Sequence, residues 1–144
     1  MQSTLIQGGI FNDMRGSLRF VNENNPGNFR RFYIITPSSS KIVRAWQGHK
    51  SEEKAFFAIQ GSFIIAVVKP ACFDEPADSE TPELFELAET NNNLLHVPAG
   101  CYTGIKARED KSMLLVLSNF DLAESKSDDY RQPPDKWVDW DSIV

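Results

Sequence analysis

A dense polar run, RAWQGHKSEEK at residues 44–54, contains the side chains of this sequence that are best suited to acid–base chemistry. His49 is one of two histidines in the chain. Its imidazole titrates near neutral pH, so it can remove a proton from a carbon beside a carbonyl group and return it. Arg44 offers a planar fork of donors and Lys54 a compact positive charge, and both bind anionic oxygens. The run therefore predicts a pocket for proton transfer and anion binding, and the alternative is a histidine that only hydrogen-bonds within the fold.

The polar run lies between short apolar segments that are separated by turn signals such as NENNPGN (22–28) and PSSS (37–40). This spacing is typical of a β-sandwich or barrel. The segment 84–89 fits a strand or a short helix, and the tail from Asp121 fits a helical turn or an extended arm. Strands are predicted at 18–22, 32–36, 41–46, 55–60, 62–68, 94–98 and 112–120. About eight short strands with few or no helices predict an all-β jelly-roll barrel, whose two sheets enclose a cavity for a small ligand.

Composition excludes several classes of protein. A chain of 144 residues predicts a single domain over 1–144 with one hydrophobic core. The net charge of -5 argues against a nucleic-acid partner, and no apolar run approaches the ~18 residues of a membrane span. Two cysteines are too few for a disulfide framework, and MQSTLIQGG lacks the features of a signal peptide. We therefore expect a soluble cytoplasmic protein.

Four segments resemble, in order, the cupins of nucleotide-sugar metabolism: the dTDP-4-keto-6-deoxyhexose 3,5-epimerases and 3,4-ketoisomerases, in particular the WxcM-like branch. They are DMRGSLRFVNE (13–23), RRFYIITP (30–37), VRAWQGHKSEEKAFFAIQGS (43–62) and HVPAGCYTGI (96–105). The resemblance implies a cupin-type double-stranded β-helix that binds a nucleotide-diphosphate sugar. It also implies a homodimer formed by strand exchange on the N-terminal side.

The resemblance also implies roles for individual residues. His49 would be the catalytic base or proton shuttle, and Tyr102 either the opposing acid or a packing residue. Tyr33 and Trp46 would stack on the base or sugar, or else belong to the core. Arg44 and Lys54 would neutralise the diphosphate, and Gln47 would orient the sugar. The predicted substrate-binding residues are Arg15, Arg31, Tyr33, Arg44, Trp46, Gln47, Lys54 and Thr103.

The sequence departs from the family pattern at the positions that carry chemistry. The family's first histidine falls on Gln47, whose amide cannot take a proton at neutral pH, and the histidine after Pro-x-Gly falls on Thr103. The metal-binding cupin pattern keeps only His49, with Lys54 at its glutamate position. We therefore expect no metal and no other cofactor, which excludes a metal-dependent oxygenase. Two functions stay open: an isomerase or epimerase acting on a nucleotide-linked 4-keto-6-deoxy sugar in surface polysaccharide synthesis, and a non-enzymatic cupin that binds a sugar nucleotide or carbohydrate.

Overall fold

A computed structural model of the chain describes residues 2–22 and 28–143, so most of the predicted turn at 22–28 and Glu23 of the first motif lie outside it. One short helix, α1 (Leu122–Lys126), and a 3₁₀ turn (Trp140–Ser142) follow the last long strand. The described strands are β1 (Thr4–Gln7), β2 (Gly9–Asp13), β3 (Gly16–Phe20), β4 (Arg31–Ile35), β5 (Val43–His49), β6 (Lys54–Gln60), β7 (Ser62–Val68), β8 (Glu83–Ala88), β9 (Asn93–Val97), β10 (Cys101–Ala107), β11 (Met113–Ser118) and β12 (Tyr130–Arg131).

Two antiparallel five-stranded sheets form the body of the fold. The first has the order β1-β9-β6-β11-β4 and the second β12-β5-β10-β7-β8, while β2 and β3 form a separate hairpin. Side chains from both sheets meet in one apolar core, because alternate residues of a strand point to the same face. In β11, for example, Leu114 and Val116 are fully buried between the sheets. This architecture confirms the predicted all-β jelly roll.

Most strands lie within a few residues of their predicted positions, and the ambiguous segment 84–89 belongs to strand β8. The tail begins as a helical turn, because Asp121 caps α1. The Asp121 carboxylate accepts from the Glu124 backbone N–H, and the Glu124 carboxylate accepts from the Asp121 N–H. The tail then continues as β12, which pairs with β5 and brings residues 122–131 beside the polar run.

Strand alternation also decides where the polar run points. In β5, Gln47 and His49 point to the inner face of the second sheet, opposite Thr103 and Cys101 of β10. Trp46 points to the outer face, where it packs with Trp140 and Tyr102. The inner face of β5 therefore changes from apolar packing to a polar cavity wall.

Candidate active site

A cavity of about 610 Å³ opens between the two sheets. This volume is in the range of small-molecule and cofactor sites. Apolar side chains of the core, Ile35, Phe56 and Ile105, form part of its wall. Residues 122–131 contribute another part of the wall. The polar lining consists of Arg31, Tyr33, Arg44, Gln47, His49, Glu52, Lys54, Thr103, Ser125, Lys126, Asp129 and Arg131.

His49 is buried at the cavity wall and is held through one ring nitrogen. Its Nδ1 lies 2.6 Å from the backbone carbonyl oxygen of Asp128. Because a carbonyl oxygen only accepts, Nδ1 carries the hydrogen, and the neutral ring keeps its lone pair on Nε2. Nε2 is buried and has no hydrogen-bond partner among the described residues. The ring is thus a base with an unused acceptor.

Burial lowers the pKa of His49 below its ordinary value, and the positive charge of Lys54 lowers it further. The backbone bond to Asp128 and the negative charges of Glu52 and Asp128 act in the opposite direction. The net direction keeps the ring neutral at pH 7, which is the form that accepts a proton.

The lowered pKa predicts a stability that falls in mild acid. Between the pKa of His49 in the folded protein and its ordinary value of 6.5, the unfolded chain binds more protons than the folded one. The free energy of unfolding therefore decreases as the pH falls through this window. Urea unfolding of the wild type and of His49→Asn from about pH 8 to about pH 5 checks this. We expect the free energy of unfolding to decrease less in the variant than in the wild type. Equal decreases would contradict a contribution from His49.

Two acidic residues that the sequence did not indicate lie at the turn after β5, and one of them holds it. The Asp128 carboxylate accepts from the backbone N–H groups of Lys50, Ser51 and Glu52 at 2.8–2.9 Å. The side chain of Glu52 is fully buried, and its Oε1 lies 3.4 Å from His49 Nδ1. Since Asp128 is 79 positions from His49, no local spacing could have indicated this contact.

Lys54 is a buried cation at the start of β6. Its ammonium group donates to the Tyr33 hydroxyl oxygen at 3.1 Å and to Gln47 Oε1 at 3.3 Å. The Gln47 amide donates in turn to Asp129 Oδ1 at 3.2 Å. Within residues 2–22 and 28–143, Lys54 forms no ion pair. The predicted residues Tyr33, Gln47 and Lys54 therefore form one hydrogen-bonded row beside His49.

The other cations of the cavity come from β4, β5 and the C-terminal wall. Arg31 donates to Ser125 Oγ at 2.7 Å, and its guanidinium lies over the Tyr33 ring at 5.1 Å. Arg44 is exposed on β5, and Arg131 pairs with Asp129 at 2.8 Å. The cluster gives the cavity the charge that an anionic ligand requires.

Two predicted site residues lie on the outer face of the second sheet, away from the cavity. Tyr102 faces outward on β10, stacks on Phe73 at 4.6 Å and donates its hydroxyl to the Phe73 carbonyl oxygen. Trp46 also faces outward, and its indole N–H donates to the Pro134 carbonyl oxygen. Each precedes a residue that lines the cavity, and neighbours in a strand point to opposite faces. We therefore correct their assignments: both are packing residues in this fold.

Arg15 lies at the turn of the β2–β3 hairpin and pairs with Asp13 at 2.7 Å. Its side chain is 87% exposed and does not line the cavity of its own chain. The predicted contact of Arg15 with a nucleotide is therefore not made within one copy of this structure.

Cys72 is exposed and Cys101 is buried in the core, and burial raises the pKa of the Cys101 thiol to about 11. Since the thiolate is the reactive form, we expect one thiol to be labelled by Ellman's reagent at neutral pH in the folded protein. Both thiols should react after denaturation. Labelling of folded Cys72→Ser at the wild-type rate would contradict this.

Within the described part of the chain, no three side chains of His, Cys, Asp or Glu converge as metal ligands. No helix there is long and apolar enough to cross a membrane.

The jelly roll and its polar inner cavity place this protein among the cupins. A family model described as "FdtA: WxcM-like, C-terminal" matches residues 1–140. The chain belongs to this family, as its motifs predict. No curated protein matches it in sequence.

Solved structures share the fold at low sequence identity. QdtA, a sugar 3,4-ketoisomerase from Thermoanaerobacterium thermosaccharolyticum in complex with TDP, is 21% identical, with a TM-score of 0.73 over 91% of this chain and 88% of that chain. A 3,4-ketoisomerase from Helicobacter canadensis is 21% identical, with a TM-score of 0.73 over 92% of each chain. The rmlC epimerase of Mycobacterium tuberculosis is 17% identical, with a TM-score of 0.77 over 96% of this chain and 74% of that chain. These similarities confirm the predicted cupin fold.

Proposed function

We propose that this protein is a sugar-nucleotide isomerase that moves the ketone of a dTDP-linked 4-keto-6-deoxyhexose from C4 to C3. The observation that carries the proposal is the state of His49. Its Nδ1 is fixed on the Asp128 carbonyl, and its Nε2 is buried at the cavity without a partner in the described residues. A neutral imidazole held in this way is suited to take a proton from a carbon beside a ketone.

The reaction needs a base that gives its proton back. His49 Nε2 takes the proton from C3, and the electron pair of the C–H bond forms a C3=C4 double bond. The C4 oxygen takes the negative charge and gains a proton, which gives an enediol. The 3-hydroxyl then loses its proton, C4 receives the proton held by His49, and the ketone is left at C3.

Lys54 and Tyr33 are assigned to the keto oxygen. Lys54 is buried in the same wall as His49, whereas Arg44 is exposed. We therefore place Lys54 at the sugar and not at the diphosphate. Because the Tyr33 oxygen accepts from Lys54, its own hydrogen is available to the keto oxygen. A cation and a hydroxyl donor at this position stabilise the developing enolate.

The remaining cations are assigned to the diphosphate. Arg31, Arg44, Lys126 and Arg131 line the same cavity. Arginine binds phosphate oxygens through its donor fork and lysine as a point charge. Solved relatives support this ligand class, since QdtA is in complex with TDP and a mutant of QdtA is in complex with TDP-4-keto-6-deoxyglucose. The proposed setting is surface polysaccharide synthesis in the cytoplasm.

Proton NMR of dTDP-4-keto-6-deoxyglucose incubated with the protein in D₂O tests the proposal. We expect deuterium at C3 of the recovered substrate and at C4 of a 3-keto product, whose C3 carbonyl carbon carries no hydrogen. Deuterium at C5 would indicate a 3,5-epimerase instead. Binding of the sugar nucleotide without exchange would reject the isomerase and support the non-enzymatic cupin, a function that the glutamine at position 47 keeps open.

We also propose that the protein is a homodimer. The hairpin β2–β3 forms its own two-stranded sheet, and Phe11 and Leu18 on it are 58% and 59% exposed. Such a hairpin is marginally stable alone in water, and a second copy would cover its apolar side chains. A dimer is also the arrangement in which Arg15 could reach a cavity, that of the other copy.

Light scattering after size exclusion checks the dimer. We expect about twice the 16.3 kDa of one chain for the wild type and a shift toward monomer for Phe11→Asp. Leu84→Asp on β8 is the matched control, since Leu84 is 53% exposed and lies outside the hairpin. A monomeric wild type would overturn the proposal.

A further inference from the structure

We infer that Glu52 is a positioning residue for His49, one that fixes the imidazole and stabilises the imidazolium formed when Nε2 takes a proton. The inference deepens the proposed function and rests on it for the rate, but its first readout is measured without any substrate. No catalytic contact with the sugar is assigned to Glu52.

The Glu52 carboxylate is enclosed by donors. Its side chain is 0% exposed. Ser125 Oγ donates to Oε1 at 2.9 Å, and Ser118 Oγ donates to Oε2 at 2.5 Å. The Arg31 guanidinium lies 3.6 Å from Oε2, and His49 Nδ1 lies 3.4 Å from Oε1. The two hydroxyls donate hydrogens and the guanidinium carries positive charge, which is the environment that an acceptor-only carboxylate requires.

Several charged or polar groups surround the His49 ring. Most of them already bind other partners. Lys54 opposes a positive charge on the ring. The Asp128 carboxylate is occupied by three backbone N–H groups, and Asp129 is occupied by Arg131 and Gln47. Cys101, opposite His49 in register, is a neutral thiol, and the Tyr33 hydroxyl is bound by Lys54.

Glu52 is therefore the group whose charge directly faces Nδ1. Nδ1 keeps its hydrogen and donates it to the Asp128 carbonyl oxygen before and after proton transfer, so Glu52 acts through charge rather than by taking the proton. A buried negative charge at this distance favours the protonated ring. The turn that carries Glu52 is also tied to Asp128, so the carboxylate keeps its place beside the carbonyl oxygen that holds the ring.

The same carboxylate joins the catalytic ring to two walls of the cavity. Ser125 lies in α1 of the C-terminal wall, and Ser118 is the last residue of β11. Arg31, on β4, binds both Ser125 and Glu52. A change at Glu52 should therefore alter the surroundings of His49 and of Arg31, a cation assigned to the ligand.

The test is an NMR titration of the histidine ring protons in ligand-free protein. The chain has two histidines, so His96→Asn identifies the signals of His49. In Glu52→Gln we expect the pKa of His49 to fall further below its ordinary value. Glu53→Gln is the matched control, because the neighbouring Glu53 binds His96 at 2.9 Å in the first sheet, and it should leave the His49 titration unchanged.

The second readout is kinetic. With a weaker base, kcat for exchange at C3 should fall about tenfold in Glu52→Gln, with KM nearly unchanged. The acidic limb of the pH profile should move to lower pH. If Glu52→Gln does not fold, Glu52→Asp keeps the charge but draws it back from Nδ1, and a smaller fall of the pKa is expected.

An unchanged His49 titration in the folded variant would overturn the inference, whether or not the protein is an isomerase. If the His49 pKa falls but the wild type exchanges no deuterium, the positioning by Glu52 stands and the proposed function fails.

Discussion

We expect His49→Asn to abolish detectable deuterium exchange at C3 of dTDP-4-keto-6-deoxyglucose, with a loss in rate of about 10²- to 10⁴-fold, and still to bind dTDP. The asparagine amide can donate to the Asp128 carbonyl as Nδ1–H does, so the turn that follows β5 should persist. The asparagine side chain has no group that accepts a proton at neutral pH. Exchange is measured by NMR and affinity by calorimetry.

His96→Asn is the matched control. His96 is buried on β9, binds Glu53 and does not line the cavity. Its substitution should leave the exchange rate near that of the wild type. Exchange by His49→Asn at the rate of the wild type would remove His49 from the mechanism and leave the cavity without its proposed base.

We expect the second large effect from Lys54→Met, with opposite consequences for activity and stability. Loss of the cation at the keto oxygen should lower kcat by about 10²- to 10³-fold, which is typical when one donor to an oxyanion is removed. The free energy of unfolding should rise by about 1 kcal/mol, because a buried charge with no ion pair in the described residues is replaced by an apolar chain. Urea unfolding and exchange kinetics check the two effects.

A third readout links Lys54 to His49. Since the charge of Lys54 lowers the pKa of His49, Lys54→Met should raise it. Lys50→Met is the control, because Lys50 pairs with Asp74 and does not line the cavity. A Lys54→Met protein with full activity would show that the keto oxygen is stabilised by other groups.

The fold could be predicted because apolar alternation and turn residues mark most strands. Strands β1 and β2 were missed, since the segment TLIQGGIFND is short and broken by two glycines. Strand β10 was not predicted either, although its residues 101–105 are all buried. In β10, Gly104 gives no periodic signal, and the reason for it is a tertiary contact: a Cβ there would lie 2.5 Å from the Trp140 ring.

The candidate site could be predicted only in part. The motif spacing indicated His49, Gln47 and Lys54, and the structure brings these three to one cavity. For their outward neighbours a site role and a packing role both stayed open, because the facing of a strand depends on its register, which the sequence does not show. Trp46 and Tyr102 were therefore counted among the site residues with Gln47 and Thr103. In each adjacent pair, however, the two side chains point to opposite faces of the sheet.

The support of the site could not be predicted at all. Glu52, Ser118, Ser125 and Asp128 meet through contacts that span 66 to 79 positions of the sequence. In the sequence, Glu52 looks like a solvent-exposed charge because it stands in a polar run. Its carboxylate is buried because the C-terminal segment folds against that run.

A crystal structure of His49→Asn with dTDP-4-keto-6-deoxyglucose bound tests the proposed mechanism. We expect the diphosphate against Arg31 and Arg44, the keto oxygen at Lys54 and Tyr33, and C3 within about 3.5 Å of the side chain at position 49. A hexose that lies outside the cavity, or whose C3 faces a wall without position 49, would reject the mechanism.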